Sequence, residues 1–416
     1  MKNNRKLLLL LVFIIPLLAI FSQCHTLSSD KHDPRGELYA GSSTCIKCHS
    51  DVYSNYLHTA HFSTTRLADI RNISGSFNKD SNVYYFNDSL KVVMEKRDSG
   101  LYQVAYLKGK EVHKARFDLT FGNVKAETYL YWKGNEVYQL PMSYFKGLHS
   151  WTNSPGYTND FADFNRPIGM RCFECHSSFV KDMPQQNQSL HGVPQLDRKS
   201  LILGIDCERC HGPAANHVQY QTDNPDDKTA KYITTYRSLS RSQKIDMCAV
   251  CHSGNKGTMI RSTFAFVPGD TLANFKEFDM YQAIPDSAKA DVHGNQSQLL
   301  ASSKCFINSK MDCATCHNTH INDRPALALY SQKCMDCHTV AKHNFCKMAP
   351  AIGGVIKSNC IDCHMPARPS SVIAVGVGGN KTAVPYLVRT HRIAVYTDAA
   401  QAVMTNLKQN NKLTSK

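Results

Sequence analysis

Apolar and polar positions alternate most regularly between residues 82 and 141. Six short runs, NVYYFN (82–87), LKVVMEK (90–96), LYQVAYL (101–107), ARFDLTFG (115–122), ETYLYW (127–132) and EVYQLP (136–141), carry the two-residue period of half-buried strands. Between them stand NDS, DSG, KGK and KGN, all short turn chemistry. The pattern predicts an antiparallel meander of five or six strands, forming a small β module over 71–150. The chain opens differently. Lys2, Arg5 and Lys6 precede the apolar run LLLLLVFIIPLLAIF (7–21), which is too short for a comfortable membrane span and reads as an export signal over 1–23. Cys24 follows, so cleavage before it and acylation of its sulfur are expected, although Phe21 stands where the usual pattern has Leu. Simple secretion and a retained N-terminal anchor are the competing readings. Residues 24–44 are polar and turn-rich, as a flexible tether is, and 397–416 read as a C-terminal helix or tail.

Seventeen cysteines in an exported chain suggest a disulfide framework, but their spacing changes that picture. CxxCH occurs seven times: Cys45-Cys48-His49, Cys172-Cys175-His176, Cys207-Cys210-His211, Cys248-Cys251-His252, Cys313-Cys316-His317, Cys334-Cys337-His338 and Cys360-Cys363-His364. This is the spacing of covalent c-type haem attachment. Each cysteine adds across a vinyl group, two intervening residues let both sulfurs reach one macrocycle edge, and the histidine ligates the iron from below. Zinc ribbons also use CxxC pairs but need no histidine directly after the second cysteine. Seven covalently bound c-type haems are therefore expected, one in a first segment (45–70) and six in a domain over 151–396. So dense a set of motifs leaves little room for a side-chain core. The fold class expected is mainly α, short helices and long ordered loops packed around haems, plus the inserted antiparallel β module.

Charge fits this reading. The formal net charge is +14, and loss of the signal leaves +11. Haem propionates would neutralise it, so nucleic acid is not an expected partner. Cys305 and Cys346 flank the fifth and sixth motifs. A disulfide between them is one reading, free thiols or a sulfur ligand near an open haem the other.

Twelve of the 19 histidines lie outside the motifs. His25 and His32 fall in the tether. Ten remain for seven distal positions, so every iron can take two imidazoles. His320 follows His317 by three residues and His217 follows His211 by six. Neither can easily cross its own haem, so each is expected to ligate a neighbouring one.

The stretches CIKCHSDVYSNYLHTAHFSTT (45–65), IDCERCHGPAANH (205–217), DVHGNQ (291–296), MDCATCHNTH (311–320), NCIDCHMP (359–366) and THRIAVY (390–396) resemble the multihaem cytochrome c superfamily, the group containing pentahaem nitrite reductase, hydroxylamine oxidoreductase and the octahaem tetrathionate reductases. The resemblance implies distal ligand roles for His61, His217, His320 and His391, and for His293 and His343. His58, His113, His149 or His191 is left for a seventh, if there is one. Two departures separate this chain from the enzymes: every motif ends in histidine where nitrite reductase has one lysine, and there are seven motifs where hydroxylamine oxidoreductase has eight haems and a crosslinking tyrosine.

The function expected is electron transfer in the cell envelope through mostly bis-histidine haems. The periplasm or outer envelope is the place, the acylated Cys24 the anchor, and a quinol oxidase or a reductase the redox partner. The alternative is an oxidoreductase acting on a small nitrogen or sulfur anion at one five-coordinate haem, with Tyr157, Arg166 and Arg171 as an anion pocket before the second motif. A third reading makes the β module a docking surface.

Overall fold

The computed structural model describes residues 32–184, 192–254, 257–277, 291–324, 327–342, 345–378 and 383–414. The export signal, Cys24, most of the tether, His191 and His343 lie outside the described residues. No described helix is long and apolar enough to cross a membrane.

The six alternating runs lie in strands, and the turns between them are of the expected kind. Strands β1 (Thr65–Leu67) to β10 (Arg166–Pro167) build two antiparallel sheets. The first has the order β2 (Val83–Tyr85), β3 (Leu90–Arg97), β4 (Gly100–Leu107), β5 (Lys110–Arg116). The second runs β1, β6 (Leu119–Phe121), β7 (Ala126–Lys133), β8 (Glu136–Phe145), β10, with β9 (Ser150–Asn153) also on β8. The β4–β5 turn places Lys108 and Gly109 at φ 50° and 80°, the left-handed pair that matches the twist of a two-residue hairpin.

Strand β8 is buried along almost its whole length because both faces of its sheet are covered. On one face Tyr129, Leu140 and Met142 pack with Met94, Phe117 and Trp151 of the module's own core. On the other, Leu130 and Val137 join Leu119, Phe121 and Phe173. Phe173 lies between the two cysteines of the second motif, so the module and the haem-motif region share a core.

The expectation of a mainly α fold is corrected here: the chain is 30% helix and 26% strand. The motif region contributes two hairpins that periodicity did not reveal, β11 (Ser177–Met183) with β12 (Gln195–Leu203), and β13 (Ala367–Val375) with β14 (Val384–Arg389). Helices there are short: Met170–His176, Cys207–His211 and Arg241–His252 each span a whole motif, Leu327–Met335 carries Cys334, and Ile361–His364 carries Cys363 and His364. A helix of one to three turns presents two cysteines and a histidine on one side, and it has no apolar face long enough to build a bundle.

Candidate haem-binding cavity

The seven motifs line one continuous cavity of 4490 Å³. Ordinary ligand pockets hold roughly 300–1,000 Å³, so this space takes several large groups; shared among seven it gives about 640 Å³ each. It is walled by all 14 motif cysteines and seven motif histidines, and by His61, His217, His293, His320 and His391.

Four imidazole pairs face one another inside it. His49 lies opposite His217 with ring centroids 6.5 Å apart, His61 opposite His252 at 6.3 Å, His211 opposite His320 at 6.0 Å, and His317 opposite His391 at 6.2 Å. Rings in van der Waals contact would sit about 3.5–4 Å apart. Two metal–imidazole bonds of about 2.0 Å each, plus two ring radii of about 1.1 Å, span the observed separation. Each pair joins a motif histidine to a histidine from the segment following a different motif.

The imidazoles are poised as neutral ligands. Burial and then the charge of His252 push His61 down to about 4. Burial pushes His176 and His391 down to about 4 as well. Three of the imidazoles meet a partner through Nδ1. The His217 Nδ1–H donates to the Lys231 carbonyl at 2.8 Å and that of His364 to the Ala394 carbonyl at 2.9 Å. His176 Nδ1 meets the Thr64 hydroxyl at 3.1 Å. A proton held on Nδ1 leaves the Nε2 lone pair free for a metal. Among the described residues no three His, Cys, Asp or Glu side chains converge on a point, as a zinc site requires. The residues fit haem.

The thiols add a second kind of contact. The thiols of Cys45 and Cys207 are neighbours, as are those of Cys175 and Cys251, Cys248 and Cys313, and Cys334 and Cys360. Each contact joins two different motifs, so groups attached there would meet edge to edge. Cys305 and Cys346, which belong to no motif, lie beside motif cysteines: Cys305 is near Cys316, and Cys346 is near Cys363.

Several residues that sequence reasoning passed over hold this geometry. Arg35 is buried among Asp33, Asp206 and Glu208, at 2.9, 2.8 and 3.0 Å. Glu208 lies within the third motif and also accepts from the backbone N–H groups of Ala40, Gly41 and Ala214. This network ties the segment before the first motif to the third, which brings Cys45 to Cys207. Arg35→Ala strands buried carboxylates without their cation, so a loss of about 3–5 kcal/mol is expected, read as a lower midpoint in chemical denaturation. Gly204 serves the same end: at φ +67°, a Cβ there would overlap the Phe62 carbonyl, and its neighbour Ile205 donates its N–H to the His61 carbonyl at 2.9 Å. His61 is thereby anchored beside the third motif.

Other candidates lie elsewhere. His293 faces the cavity and influences both His176 and His252. His58 and His149 are exposed, and His113 packs on Phe164 from edge strand β5. The Tyr157 hydroxyl donates to the Gln139 carbonyl. Arg166 covers the Tyr157 ring and donates to Pro155, and Arg171 donates to Gly257.

No family model matches the chain. It is 23% identical over 197 residues to the multihaem cytochrome MtrA of Shewanella baltica (strain OS185), an alignment covering 47% of this chain and 45% of that protein. In three dimensions it is similar to the outer cell wall cytochrome OcwA, with a TM-score of 0.53 and 15% identity over 88% of this chain and 81% of that one. Together these likenesses support a multihaem cytochrome. The chain matches less than half the length of its curated relative, and the likeness to OcwA is one of fold.

Proposed function

We propose that this chain is a seven-haem electron relay of the cell envelope, exported, held by acylated Cys24, and exchanging electrons with redox partner proteins. The observation that carries the reading is the set of four imidazole pairs, each linking two motifs. In this reading His61, His217, His320 and His391 are distal ligands to the haems of the fourth, first, third and fifth motifs. His293 and His343 serve two of the remaining three. Bound haem supplies one-electron iron chemistry. The protein's part would be to fix the paired imidazoles, keep them neutral and hold their Nδ1 protons, so that little need rearrange on reduction.

The four pairs differ in a way that spectroscopy reads. Ring planes are nearly parallel for His49/His217, His211/His320 and His317/His391, at 14°, 18° and 28°, and crossed at 82° for His61/His252. The expected electron paramagnetic resonance spectrum of the oxidised protein contains rhombic low-spin signals from the parallel pairs and one strongly anisotropic low-spin signal from the crossed pair. A His61→Ala variant should lose the anisotropic signal alone.

A second reading has one specific observation behind it. Phe121 lies parallel to the His176 ring at 4.7 Å, and among the described residues no second imidazole faces His176 at ligand separation. An open sixth position at the second motif would admit a small anion beside Arg166 and Arg171, which line the cavity. That reading requires a high-spin ferric component that nitrite converts to low spin. A fully low-spin spectrum indifferent to nitrite removes it.

A further inference from the structure

The thiol and imidazole contacts define how the motifs are joined. The first and third meet through Cys45–Cys207 and His49/His217, the first and fourth through His61/His252, and the second and fourth through Cys175–Cys251. The sixth and seventh meet through Cys334–Cys360. The fifth motif joins both groups. Cys313 neighbours Cys248 of the fourth, and His320 reaches His211 of the third. Cys316 is near Cys334 of the sixth. His317 faces His391, whose segment is bound to the seventh motif through the Ala394 carbonyl. Every one of these connections between motifs one to four and motifs six and seven passes through the fifth.

The surroundings of His317 differ from those of the other motif histidines whose Nδ1 contacts are given above. Its Nδ1 lies 3.5 Å from the Tyr330 hydroxyl, and that hydroxyl donates to Asp323 Oδ1 at 2.8 Å. A hydroxyl already donating to a carboxylate can only accept from the imidazole, so the proton sits on Nδ1 and Nε2 is left for iron. His364 has a neutral carbonyl at this position and His176 a threonine hydroxyl. Behind His317 alone among these stands an acidic side chain, reached through a polarisable phenol. A carboxylate in this place makes the imidazole a stronger donor and favours the ferric iron. Arg324, beside the same ring, opposes part of that field. Tyr330 sits on the helix Leu327–Met335, which also carries Cys334, so one helix places both the tuning hydroxyl and the sixth motif.

We propose that Asp323 and Tyr330 are positioning residues for His317 that hold the junction haem at low potential and so set the step by which the two arms exchange electrons. The proposal rests on the relay reading.

The test is a spectroelectrochemical titration of the haem-loaded protein and of its Tyr330→Phe and Asp323→Asn variants. In both variants the same single wave moves to higher potential, by about a tenfold change in its equilibrium constant, which is 59 mV for a one-electron couple. That wave is the one altered in His391→Ala. Haem content and the low-spin signals stay as in the parent, which a merely structural lesion would not preserve. Unmoved waves in either folded variant, or different waves in the two, overturn the proposal. If Tyr330→Phe does not fold, Asp323→Asn decides alone. A parent protein whose fifth motif carries no haem by peptide mass contradicts the relay reading itself, a separate outcome.

Discussion

His320→Ala is expected to leave all seven proposed haems attached and to turn one of them, that of the third motif, high-spin. The reason is geometric. His320 stands three residues after His317, too close to reach the opposite face of the group that His317 binds, and its ring faces His211 at 6.0 Å instead. On the proposed assignment, its loss would remove an imidazole from the haem held by Cys207, Cys210 and His211 and none from that held by Cys313, Cys316 and His317. Spin quantitation of the ferric protein reads the change, one centre in seven. Adding Cys207→Ser and Cys210→Ser identifies the centre, because that combined variant carries six haems and no high-spin signal. A high-spin haem that survives those two substitutions contradicts the assignment, as does a fully low-spin His320→Ala protein.

Blocking haem attachment has the larger structural effect, and it is expected to be uneven. The β module owns a core of Tyr84, Met94, Phe117, Tyr129, Met142 and Trp151. By contrast, the buried apolar side chains described between 304 and 364 are Phe306, Ile356 and Ile361, too few to offset the chain entropy of some 60 residues. The protein made without haem attachment should keep slow hydrogen exchange in β3, β4, β7 and β8 while amides from 304 to 364 exchange freely. Equal protection across both regions would show that side chains alone hold the motif region, against the view that the macrocycles are its core.

What could be read from sequence follows from range. The strands of the module were legible because alternation is a local signal and each run is closed by its own turn. Strand β5 was less so: its residues KEVHKAR lie mostly exposed on a sheet edge, where neither face requires apolar side chains. The β13–β14 hairpin holds β-branched runs, SSVIAV and VPYLV, but it follows the last motif and was absorbed into a helical expectation. That the seven CxxCH motifs would line a common space was legible because vinyl chemistry fixes a five-residue spacing. Pairing was not, since His61 with His252 and His317 with His391 join residues that only the folded chain brings together. The same holds for Arg35, Thr64 and Tyr330, whose residue types are ordinary and whose roles exist only through their neighbours.

Seven haems are expected to be bound covalently at the seven CxxCH motifs. Intact mass of the purified protein under denaturing conditions tests this most directly, because thioether-bound haem survives unfolding and non-covalent groups do not. Seven haem increments on the processed chain are the predicted result. Fewer than seven, or a bare chain accompanied by released zinc, would rule out a seven-haem relay.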